Sequence, residues 1–598
     1  MNAMTGRPKK AARLVSDNTK PDGLPAGFQV RANGVDREEE AAEGATEWRW
    51  LCSPLRVVAL TRDRSGEGWG RHTEIIDADG RTHTWSIPAR MLAGDGAEMR
   101  AEFLDRGLRL ASGARSKAAF SDLLSRWEPS ARALKTDRLG WTDESCEAFI
   151  LGDGRTLGDA RIVFQHEHGN VAAATEMREA GTVAEWTENV ASLCRGNPLL
   201  VLAVSAAFAG PLLELLGLDG GGIHLRGASS SGKTSAQRLA ASVWGSPRFV
   251  STWRSTSNGL EGIAASCNST ILVLDELGEV NGRDAGECSY MLANGSGRQR
   301  ADRTGRARSP IRWRVMFLSS GEIGLADKMA EAGRRVKAGQ QVRLLDIAAD
   351  TRRFGAFDEL HGRADGAEFA DALRAATASH FGSAGPAFIG EILKDPTGVK
   401  ATARTLIEEF RAQATAQQSL QSGQAERGVQ RLGIVAAAGE LATQFGLTGW
   451  DEGDSFAAAV TALELWINGR GGAGSDEARE AIERTRAFLT THGPSRFERV
   501  NEADSNSGTA GDSFTAQRLP VLNRAGWATE RHYYIAVDAW REIHAGADPS
   551  RAAKYLISAG WLDADTDGRL KRRTPHSVPN RPRAYAVRAQ ILGAGDDV

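Results

Sequence analysis

The sequence is poor in cysteine, with only five residues, Cys52, Cys146, Cys194, Cys267 and Cys288. None of them forms a Cys-x-x-Cys pair, and none has a histidine nearby at metal-ligand spacing. Structural zinc sites and redox dithiols depend on such spacings, so the sequence gives no sign of either. We predict five free thiols in a reducing compartment.

The sequence also lacks a charge excess and a long uninterrupted apolar run. The formal net charge is −2 at pH 7, so any nucleic-acid contact has to come from a local basic patch. The longest apolar segment, 197–218, is interrupted by Gly210-Pro211, and we expect a buried helix pair there rather than a membrane span. No apolar signal segment opens the chain. We therefore expect a cytoplasmic protein without a membrane partner.

The 598 residues exceed what one hydrophobic core supports, and three or four domains are expected. Residues 1–45 open basic and close acidic with few large apolar residues, which predicts a disordered tail. Two alternating runs around Asp79-Gly80, within 72–87, predict a hairpin. Residues 355–495 show helical periodicity without strand signals. The polar, arginine-rich segment 566–587 follows two predicted helices and is a hairpin candidate. Its part 568–583 is similar to the wing of a winged helix, which either touches DNA or covers the core.

A glycine-rich segment, GASSSGKTS at 227–235, meets the pattern GxxxxGK[ST]. It follows the strand-like segment 222–226 and precedes the amphipathic segment 234–244. This order lets backbone N–H groups and a helix N-terminus surround a phosphate. Lys233 is expected at the β- and γ-phosphates of ATP, and the Thr234 hydroxyl on Mg²⁺. The predicted nucleotide-binding residues are Gly227, Ser229, Ser230, Ser231, Gly232, Lys233, Thr234 and Ser235.

Two adjacent carboxylates, Asp275 and Glu276, end the next apolar segment, TILVLDEL at 270–277. Such a segment is typical of a buried parallel strand. We place this strand beside the phosphate loop, where Asp275 would hold Mg²⁺ and its water shell. Glu276 would then polarise the attacking water. Paired carboxylates favour hydrolysis over transfer to a small-molecule acceptor.

Further candidate catalytic residues lie on two later predicted strands. The strand 313–322 carries Ser319 and Ser320 near its C-terminal tip, and either hydroxyl is a candidate for contact with the γ-phosphate. The strand 341–347 contains Arg343 and is preceded by Arg335. In ring-shaped ATPases an arginine in this place reaches the γ-phosphate bound by the neighbouring subunit. A surface ion pair is the alternative role for either arginine.

The segment GRQRADRTGRARSPIRWR, 297–314, is rich in arginine and contains a single acid, Asp302. Thr304-Gly305 makes a plausible hairpin tip. Repeated arginines can grip a phosphate backbone in the channel of a ring, whereas a charge run elsewhere is usually a solvated face. The predicted DNA-contacting residues are Arg298, Arg300, Arg303, Arg306 and Arg308.

Several of these segments resemble the bacterial domain-of-unknown-function family numbered 927. The resemblance rests on WRSTSNGLEGIAA (253–265), LVLDELGEVNGRDAGECSYMLANGSG (272–297), FLSSGE (317–322) and GQQVRLLDI (339–347), and it extends over roughly 50–500. Members occur in prophages, plasmids and integrated elements, sometimes beside primase domains. Their core resembles the superfamily 3 helicases of the AAA+ group. The resemblance implies a homohexameric, DNA-translocating ATPase for replication of a mobile element.

The sequence departs from superfamily 3 in two respects. Ser319-Ser320 stands where relatives usually carry asparagine, and no histidine accompanies the basic segment. Lys233, Thr234, Asp275 and Glu276 match the nucleotide motifs. No carboxylate pair typical of a primase is visible in the N-terminal part.

These observations predict a multidomain α/β protein with a central AAA+-like parallel sheet. The expected segments are a disordered tail (1–45), an N-terminal α+β domain (46–170), a helical connector (171–218), a P-loop ATPase core (219–354), a helical domain (355–500) and a winged-helix-like C-terminal domain (501–598).

Three functions remain open from the sequence. The first is an ATP- and Mg²⁺-dependent hexameric helicase or translocase that acts on single-stranded DNA, with a primase or another replication protein as a further partner. The second is a nucleotide-switched scaffold or remodeller that binds a protein through its N-terminal domain. The third is a nucleotide kinase, which would transfer phosphate without releasing it.

Overall fold

The computed structural model describes residues 20–40, 45–165, 172–299, 310–334, 338–417, 423–470, 476–500, 521, 523–565 and 567–593. They divide into two compact units. One comprises the described residues up to 412 together with 430–463, and the other comprises 413–429 together with those from 464 onward.

The strands, in chain order, are β1 (Phe28–Arg31), β2 (Gly34–Glu40), β3 (Thr46–Cys52), β4 (Leu55–Arg62), β5 (Gly70–Ile76), β6 (Thr82–Pro88), β7 (Arg132–Thr136), β8 (Gly140–Trp141), β9 (Ala148–Ile150), β10 (Thr156–Gly158), β11 (Ile162–Phe164), β12 (Gly221–Arg226), β13 (Ser251–Thr252), β14 (Ile271–Asp275), β15 (Met316–Gly321), β16 (Leu344–Ala348), β17 (Phe497–Arg499), β18 (Gly526–Ala528), β19 (His532–Ile535), β20 (Leu562–Asp563), β21 (Arg572–Arg573) and β22 (Arg583–Arg588).

The α-helices are α1 (Ala97–Asp105), α2 (Ala114–Arg126), α3 (Ala172–Thr175), α4 (Val183–Asn189), α5 (Pro198–Leu216), α6 (Lys233–Ser242), α7 (Ser257–Ser266), α8 (Gly282–Asn294), α9 (Leu325–Glu331), α10 (Ala338–Gln341), α11 (Gly366–Ser379), α12 (Ala384–Lys394), α13 (Pro396–Gln417), α14 (Gly423–Gln444), α15 (Asp454–Gly469), α16 (Asp476–Arg496), α17 (Val537–Ile543) and α18 (Pro549–Ser558).

Residues 20–40 are ordered, so the prediction of a disordered tail through residue 45 is wrong for this part. β1 and β2 pair antiparallel, and Leu24, Phe28 and Val35 are buried in one hydrophobic cluster with Trp127. The Trp127 indole N–H also donates to the Asp22 carbonyl at 3.0 Å. A few apolar residues are enough here because the following residues supply most of the core. Residues 1–19 and 41–44 lie outside the described residues.

The hairpin predicted around Asp79-Gly80 is confirmed. β5 and β6 pair antiparallel within a five-stranded sheet of order β11-β7-β4-β5-β6. Asp77 Oδ1 accepts the backbone N–H groups of Asp79 at 2.9 Å and Arg81 at 2.8 Å. Gly80 has a φ of +78°, a conformation that glycine adopts readily.

The apolar segment 197–218 forms the single helix α5, and the prediction of a broken helix pair is wrong. Pro211 lies inside the helix and cannot donate to the Ala207 carbonyl one turn earlier. The Trp244 indole N–H donates to that carbonyl at 2.7 Å instead. By length and composition this helix could cross a membrane, but 94% of its most apolar window is buried inside the protein.

The central sheet is parallel throughout, with the order β13-β14-β15-β12-β16. Numbered in chain order among themselves, the five strands run 2-3-4-1-5. Helices α5 and α6 contact β14 and β15, and the first four residues of β14 are fully buried. Burial on both faces of a sheet accounts for the continuous apolar runs in the sequence.

The predicted helical domain, 355–500, is not a separate unit. The division between the two units falls within α13, α14 and α15. In the first unit, Phe388 of α12 packs on Phe208 of α5 with ring centroids 5.0 Å apart. Arg431 of α14 donates to the carbonyls of Val342 and Gly220, and its burial lowers its pKa to about 10. The boundary was unpredictable because the sequence does not say against which surface an amphipathic helix packs.

The second unit contains the sheet β17-β18-β19-β22-β20, with β21 paired to β22. Helices α16, α17 and α18 supply residues to one hydrophobic cluster around Trp540. The two predicted helices before the segment 566–587 are confirmed as α17 and α18. The hairpin predicted within this segment is also confirmed, since Arg572 pairs with Ala584 and Arg573 with Arg583.

All five cysteines are free, as predicted, and all five are buried. Burial raises the pKa of the Cys288 thiol to about 11 and that of Cys267 to about 12. Thiols that stay protonated at neutral pH are poor nucleophiles.

Candidate nucleotide site

The loop between β12 and α6 has a backbone that only particular residues adopt. Ser230 has a φ of +62° and Gly232 a φ of +95°. A Cβ on Gly232 would lie 2.7 Å from the Phe357 ring. Helix α6 begins at Lys233, so the N–H groups of its first turn have no intrahelical acceptor. The loop therefore presents backbone donors at a helix N-terminus, as phosphate binding requires.

Lys233 is 8% exposed, and its ammonium lies against the loop itself. Lys233 Nζ donates to the carbonyls of Gly227 and Ala228, both at 2.7 Å, and to Ser231 Oγ at 3.2 Å. A buried ammonium needs such acceptors or an anion. The Lys233 side chain is thus held against the loop by three of the loop's own acceptors.

Segments distant in sequence support the loop from outside. Asp350, just after β16, accepts the Ala228 N–H at 3.0 Å through Oδ2. The Ala356 N–H donates to the Ser231 carbonyl at 2.7 Å. Asp350 was not predictable from the sequence, because nothing in the residue pattern distinguishes its carboxylate from other surface acids.

Replacing Gly232 by alanine is expected to weaken nucleotide binding by about 10- to 100-fold, since the left-handed backbone and the Phe357 ring both oppose a Cβ. Titration with a fluorescent ATP analogue measures the nucleotide affinity of the variant and of the wild type. Gly262→Ala in α7 is the matched control, because no atom lies within 4 Å of its added Cβ. Equal affinities in the two variants would contradict the prediction.

The carboxylates Asp275 and Glu276 lie at the C-terminal end of β14. The Ser320 hydroxyl, from β15, donates to Asp275 Oδ1 at 2.5 Å and accepts the Glu276 N–H at 3.3 Å. Glu276 has a φ of +56°, unusual for a residue with a side chain, and its Oε1 accepts the Gly278 N–H at 3.2 Å. A non-glycine residue in this conformation is common where a side chain must be aimed at a site.

Strand order differs in one respect from the sequence-based expectation. The carboxylate strand β14 is not the neighbour of the loop strand β12, because β15 lies between them. Two strand spacings amount to about 10 Å. The strands are parallel, so the loop, Ser320 and the two carboxylates still share the C-terminal edge of the sheet, where ligands of such sheets bind. Gln237 of α6 links loop helix and carboxylate strand, donating to the Leu274 carbonyl at 3.0 Å.

The two candidate serines face different surroundings. Both are buried, but Ser320 contacts Asp275, as described, whereas Ser319 hydrogen-bonds with His224 and Trp253, both at 2.9 Å. Successive residues of a strand point to opposite faces. The geometry therefore brings Ser320, and not Ser319, to the carboxylates.

The candidate arginine Arg343 lies at the start of β16, at the sheet edge opposite to the loop. Its guanidinium donates to Asn294 Oδ1 at 3.0 Å and to the Gly339 carbonyl at 2.8 Å, and lies 4.3 Å from the centre of the Tyr290 ring. Arg335, the other candidate, lies outside the described residues.

The ends of the arginine-rich segment form a hairpin stem. The Gly297 N–H donates to the Ile311 carbonyl, and the Trp313 N–H to the Gly295 carbonyl, both at 2.9 Å. Arg298, at the stem, pairs with Glu287 at 2.5 Å. The other four predicted contact residues, Arg300, Arg303, Arg306 and Arg308, lie outside the described residues.

Within the described residues, no group of three or more His, Cys, Asp or Glu side chains could hold a metal ion. The donor set suits Mg²⁺ bound mainly by water and substrate phosphates, which needs only one or two protein oxygens. The carboxylate of Asp275 and the exposed hydroxyl of Thr234 are such oxygens. Bound Mg²⁺ would supply charge neutralisation of the phosphates.

The fold and the site define an α/β protein with a phosphate-loop motif at the C-terminal edge of a parallel sheet. Residues 28–312 match the family described as Domain of unknown function (DUF927). The resemblance recognised in the sequence is confirmed by this match. A comparison with curated proteins gives no match.

The fold is similar to that of a solved structure described as "SCCmec type IV Cch - active helicase". The similarity covers 95% of this chain and 99% of that chain, with a TM-score of 0.66 and 17% sequence identity. At this identity the similarity concerns the fold.

Proposed function

We propose that this protein is an ATP-hydrolysing DNA helicase or translocase that serves the replication of a mobile element. The observation that carries the proposal is the convergence of Lys233, Asp275, Glu276 and Ser320 at one edge of a parallel sheet of order 2-3-4-1-5. The helicase described above, whose fold is similar over nearly the whole chain, supports the same class.

Nucleotide binding is assigned to the loop and the first turn of α6. Backbone N–H groups from Ser229 to Thr234 surround the phosphates, and Gly227 and Gly232 allow the turn. The Lys233 ammonium exchanges loop carbonyls for β- and γ-phosphate oxygens. Ser235, on the first turn of α6, is buried and supports the loop. Thr234 and Asp275 provide the oxygens for Mg²⁺.

Hydrolysis is assigned to Glu276 as general base. Its carboxylate takes a proton from water as the water oxygen attacks the γ-phosphorus, and the bond to the bridging oxygen breaks, giving ADP and phosphate. Ser320, which bonds Asp275 and the Glu276 backbone, orients both acids. An arginine from a neighbouring subunit, Arg343 or Arg335, stabilises the charge that develops. This arrangement requires an oligomer, and we propose a homohexamer with a site between each pair of subunits.

We assign contact with single-stranded DNA to the arginine-rich segment 297–314, which we call the basic hairpin. The residues that would contact the phosphate backbone are Arg298, Arg300, Arg303, Arg306 and Arg308. The stem of the hairpin follows α8 and leads directly into β15. The hairpin is therefore connected covalently to the strand that carries Ser320. Movement at the γ-phosphate can reach the DNA through this strand.

An alternative is a nucleotide-switched protein remodeller. It is favoured by the exposed tryptophans Trp48 and Trp50 of β3, which are 38% and 36% exposed. The two residues are two positions apart and therefore lie on the same face of the strand. Large exposed aromatic side chains are typical of protein interfaces.

ATP turnover with and without single-stranded DNA tests the proposal, together with the mass of the assembly in ATP. The motor predicts a hexamer and DNA-stimulated release of free phosphate, and the variant Lys233→Met should show neither binding nor release. The triple variant Arg303→Ala, Arg306→Ala, Arg308→Ala is expected to lose the stimulation by DNA. Turnover that DNA leaves unchanged in the wild type would favour the remodeller, and phosphate transfer without release would favour a kinase.

A further inference from the structure

A buried polar chain crosses the central sheet just below the carboxylates. It consists of His224 on β12, Ser319 on β15 and Trp253, which follows β13, and all three side chains are fully buried. Ser319 Oγ lies 2.9 Å from His224 Nδ1 and 2.9 Å from Trp253 Nε1. His224 Nε2 lies 3.0 Å from the Ile323 carbonyl oxygen. Buried polar groups are kept only when they find partners, so the chain is a specific arrangement.

The proton positions in this chain follow from its ends. The Ile323 carbonyl can only accept, so His224 Nε2 carries a proton. Burial lowers the pKa of His224, so the ring is neutral and Nδ1 is an acceptor. The Ser319 hydroxyl then donates to His224 Nδ1. It accepts from the Trp253 indole N–H, which can only donate. A hydroxyl suits this place because it donates one hydrogen bond and accepts another.

Each member of the chain is joined to a different part of the proposed site. The backbone N–H of Trp253 donates to the backbone carbonyl of Asp275 at 3.0 Å. Ser319 is the residue before Ser320. The Gly321 carbonyl accepts the N–H of Gly227, the first loop residue, at 3.2 Å, and a Cβ on Gly321 would lie 3.1 Å from the His224 ring. The phosphate loop, Ser320 and Asp275 are thus connected, through the backbone, to the residues around these three side chains.

We infer that Ser319, His224 and Trp253 form a positioning unit that sets the Ser320 hydroxyl and the Asp275 carboxylate relative to the phosphate loop. Ser319 touches no substrate, and acts through Ser320. The inference rests on the proposed ATP hydrolysis and deepens it. It also separates the roles of two adjacent serines that the sequence left equivalent.

The test measures kcat and nucleotide affinity for Ser319→Ala and Trp253→Phe. Ser319→Ala leaves His224 Nδ1 and the Trp253 indole N–H without partners. We expect kcat to fall by on the order of 10-fold. The affinity for a fluorescent ADP analogue should stay within about 2-fold of the wild type. Trp253→Phe keeps the Ser319–His224 bond and a similar ring, and should give a smaller fall in kcat. It also provides the measurement if Ser319→Ala does not fold.

The matched control is Ser289→Ala in α8, whose hydroxyl is buried and has no hydrogen-bond partner within the described part of the chain. It should leave kcat unchanged. A double-mutant cycle with Ser320→Ala separates positioning from general stability, because an effect transmitted through Ser320 should disappear in the Ser320→Ala background.

Three results would overturn the inference: a kcat for Ser319→Ala equal to that of Ser289→Ala, an equal loss in the wild-type and Ser320→Ala backgrounds, or a loss of ADP affinity with kcat unchanged. Absence of turnover in the wild type, at the level of Lys233→Met, would instead refute the proposed function and the inference together. Wild-type turnover with an unaffected Ser319→Ala refutes the inference alone.

Discussion

Replacing Glu276 by glutamine is expected to lower ATP turnover by about 10²- to 10⁴-fold, the range over which a general base contributes. Glutamine has nearly the same shape and can still accept the Gly278 N–H that Glu276 Oε1 accepts at 3.2 Å. It cannot take the proton from water. Nucleotide affinity should therefore stay close to that of the wild type, and the variant should accumulate bound ATP.

Single-turnover hydrolysis and titration with a fluorescent ATP analogue separate these two effects. Glu279→Gln is the matched control from the same short segment. Glu279 Oε2 accepts the Thr252 hydroxyl at 3.0 Å, an interaction that glutamine can retain, and its turnover should be within about 3-fold of the wild type. Turnover by Glu276→Gln at the level of Glu279→Gln would remove Glu276 from the role of base.

Replacing Glu214 by glutamine is expected to lower the free energy of unfolding by about 3–5 kcal/mol, the cost of breaking a buried ion pair. The Glu214 side chain is only 2% exposed and pairs with Arg138 at 2.6 Å and Arg314 at 3.3 Å. Asn268 Oδ1 accepts from Arg138 and from the Arg314 N–H. Glutamine at this position is a neutral amide, so the positive charges of Arg138 and Arg314 lose the carboxylate that compensates them.

Urea unfolding followed by tryptophan fluorescence measures the shift. Glu391→Gln is the control, since its pair with Lys394 at 2.7 Å lies on the surface, where such a pair contributes about 0–1 kcal/mol. A shift for Glu214→Gln no larger than that of the control would show that the two arginines are neutralised by solvent instead. Arg314 is the last residue of the arginine-rich segment 297–314. The Glu214→Gln variant therefore also tests whether the pair between Arg314 and Glu214 fixes the end of this segment to the core.

The sequence was a good guide to the local elements of the site. The loop 227–232, the helix beginning at Lys233 and the strand ending at Asp275 all lie where the residue patterns predict them. These patterns work because each depends on neighbours in the chain. Glycine permits the turn, apolar runs form buried parallel strands, and an amphipathic stretch forms a helix on the sheet.

Interactions between segments that are distant in the chain could not be predicted from the sequence. Alternation along β15 requires Ser319 and Ser320 to point to opposite faces, but the sequence does not tell which face carries the carboxylates. The continuity of α5 through Pro211 depends on the indole of Trp244, 33 positions later. The ordering of residues 20–40 depends on the cluster around Trp127.

The sequence by itself determined which groups are available: a phosphate loop, two adjacent acids, two serines and the arginine-rich segment 297–314, on a chain with five cysteines. Only the tertiary structure decided which of these groups meet. Strand order placed β15 between the loop and the acids, which brought Ser320 to Asp275 and left Ser319 among buried partners. The physical reason is that strand order and helix docking are chosen by burial and hydrogen-bond satisfaction over the whole core, which local sequence patterns do not encode.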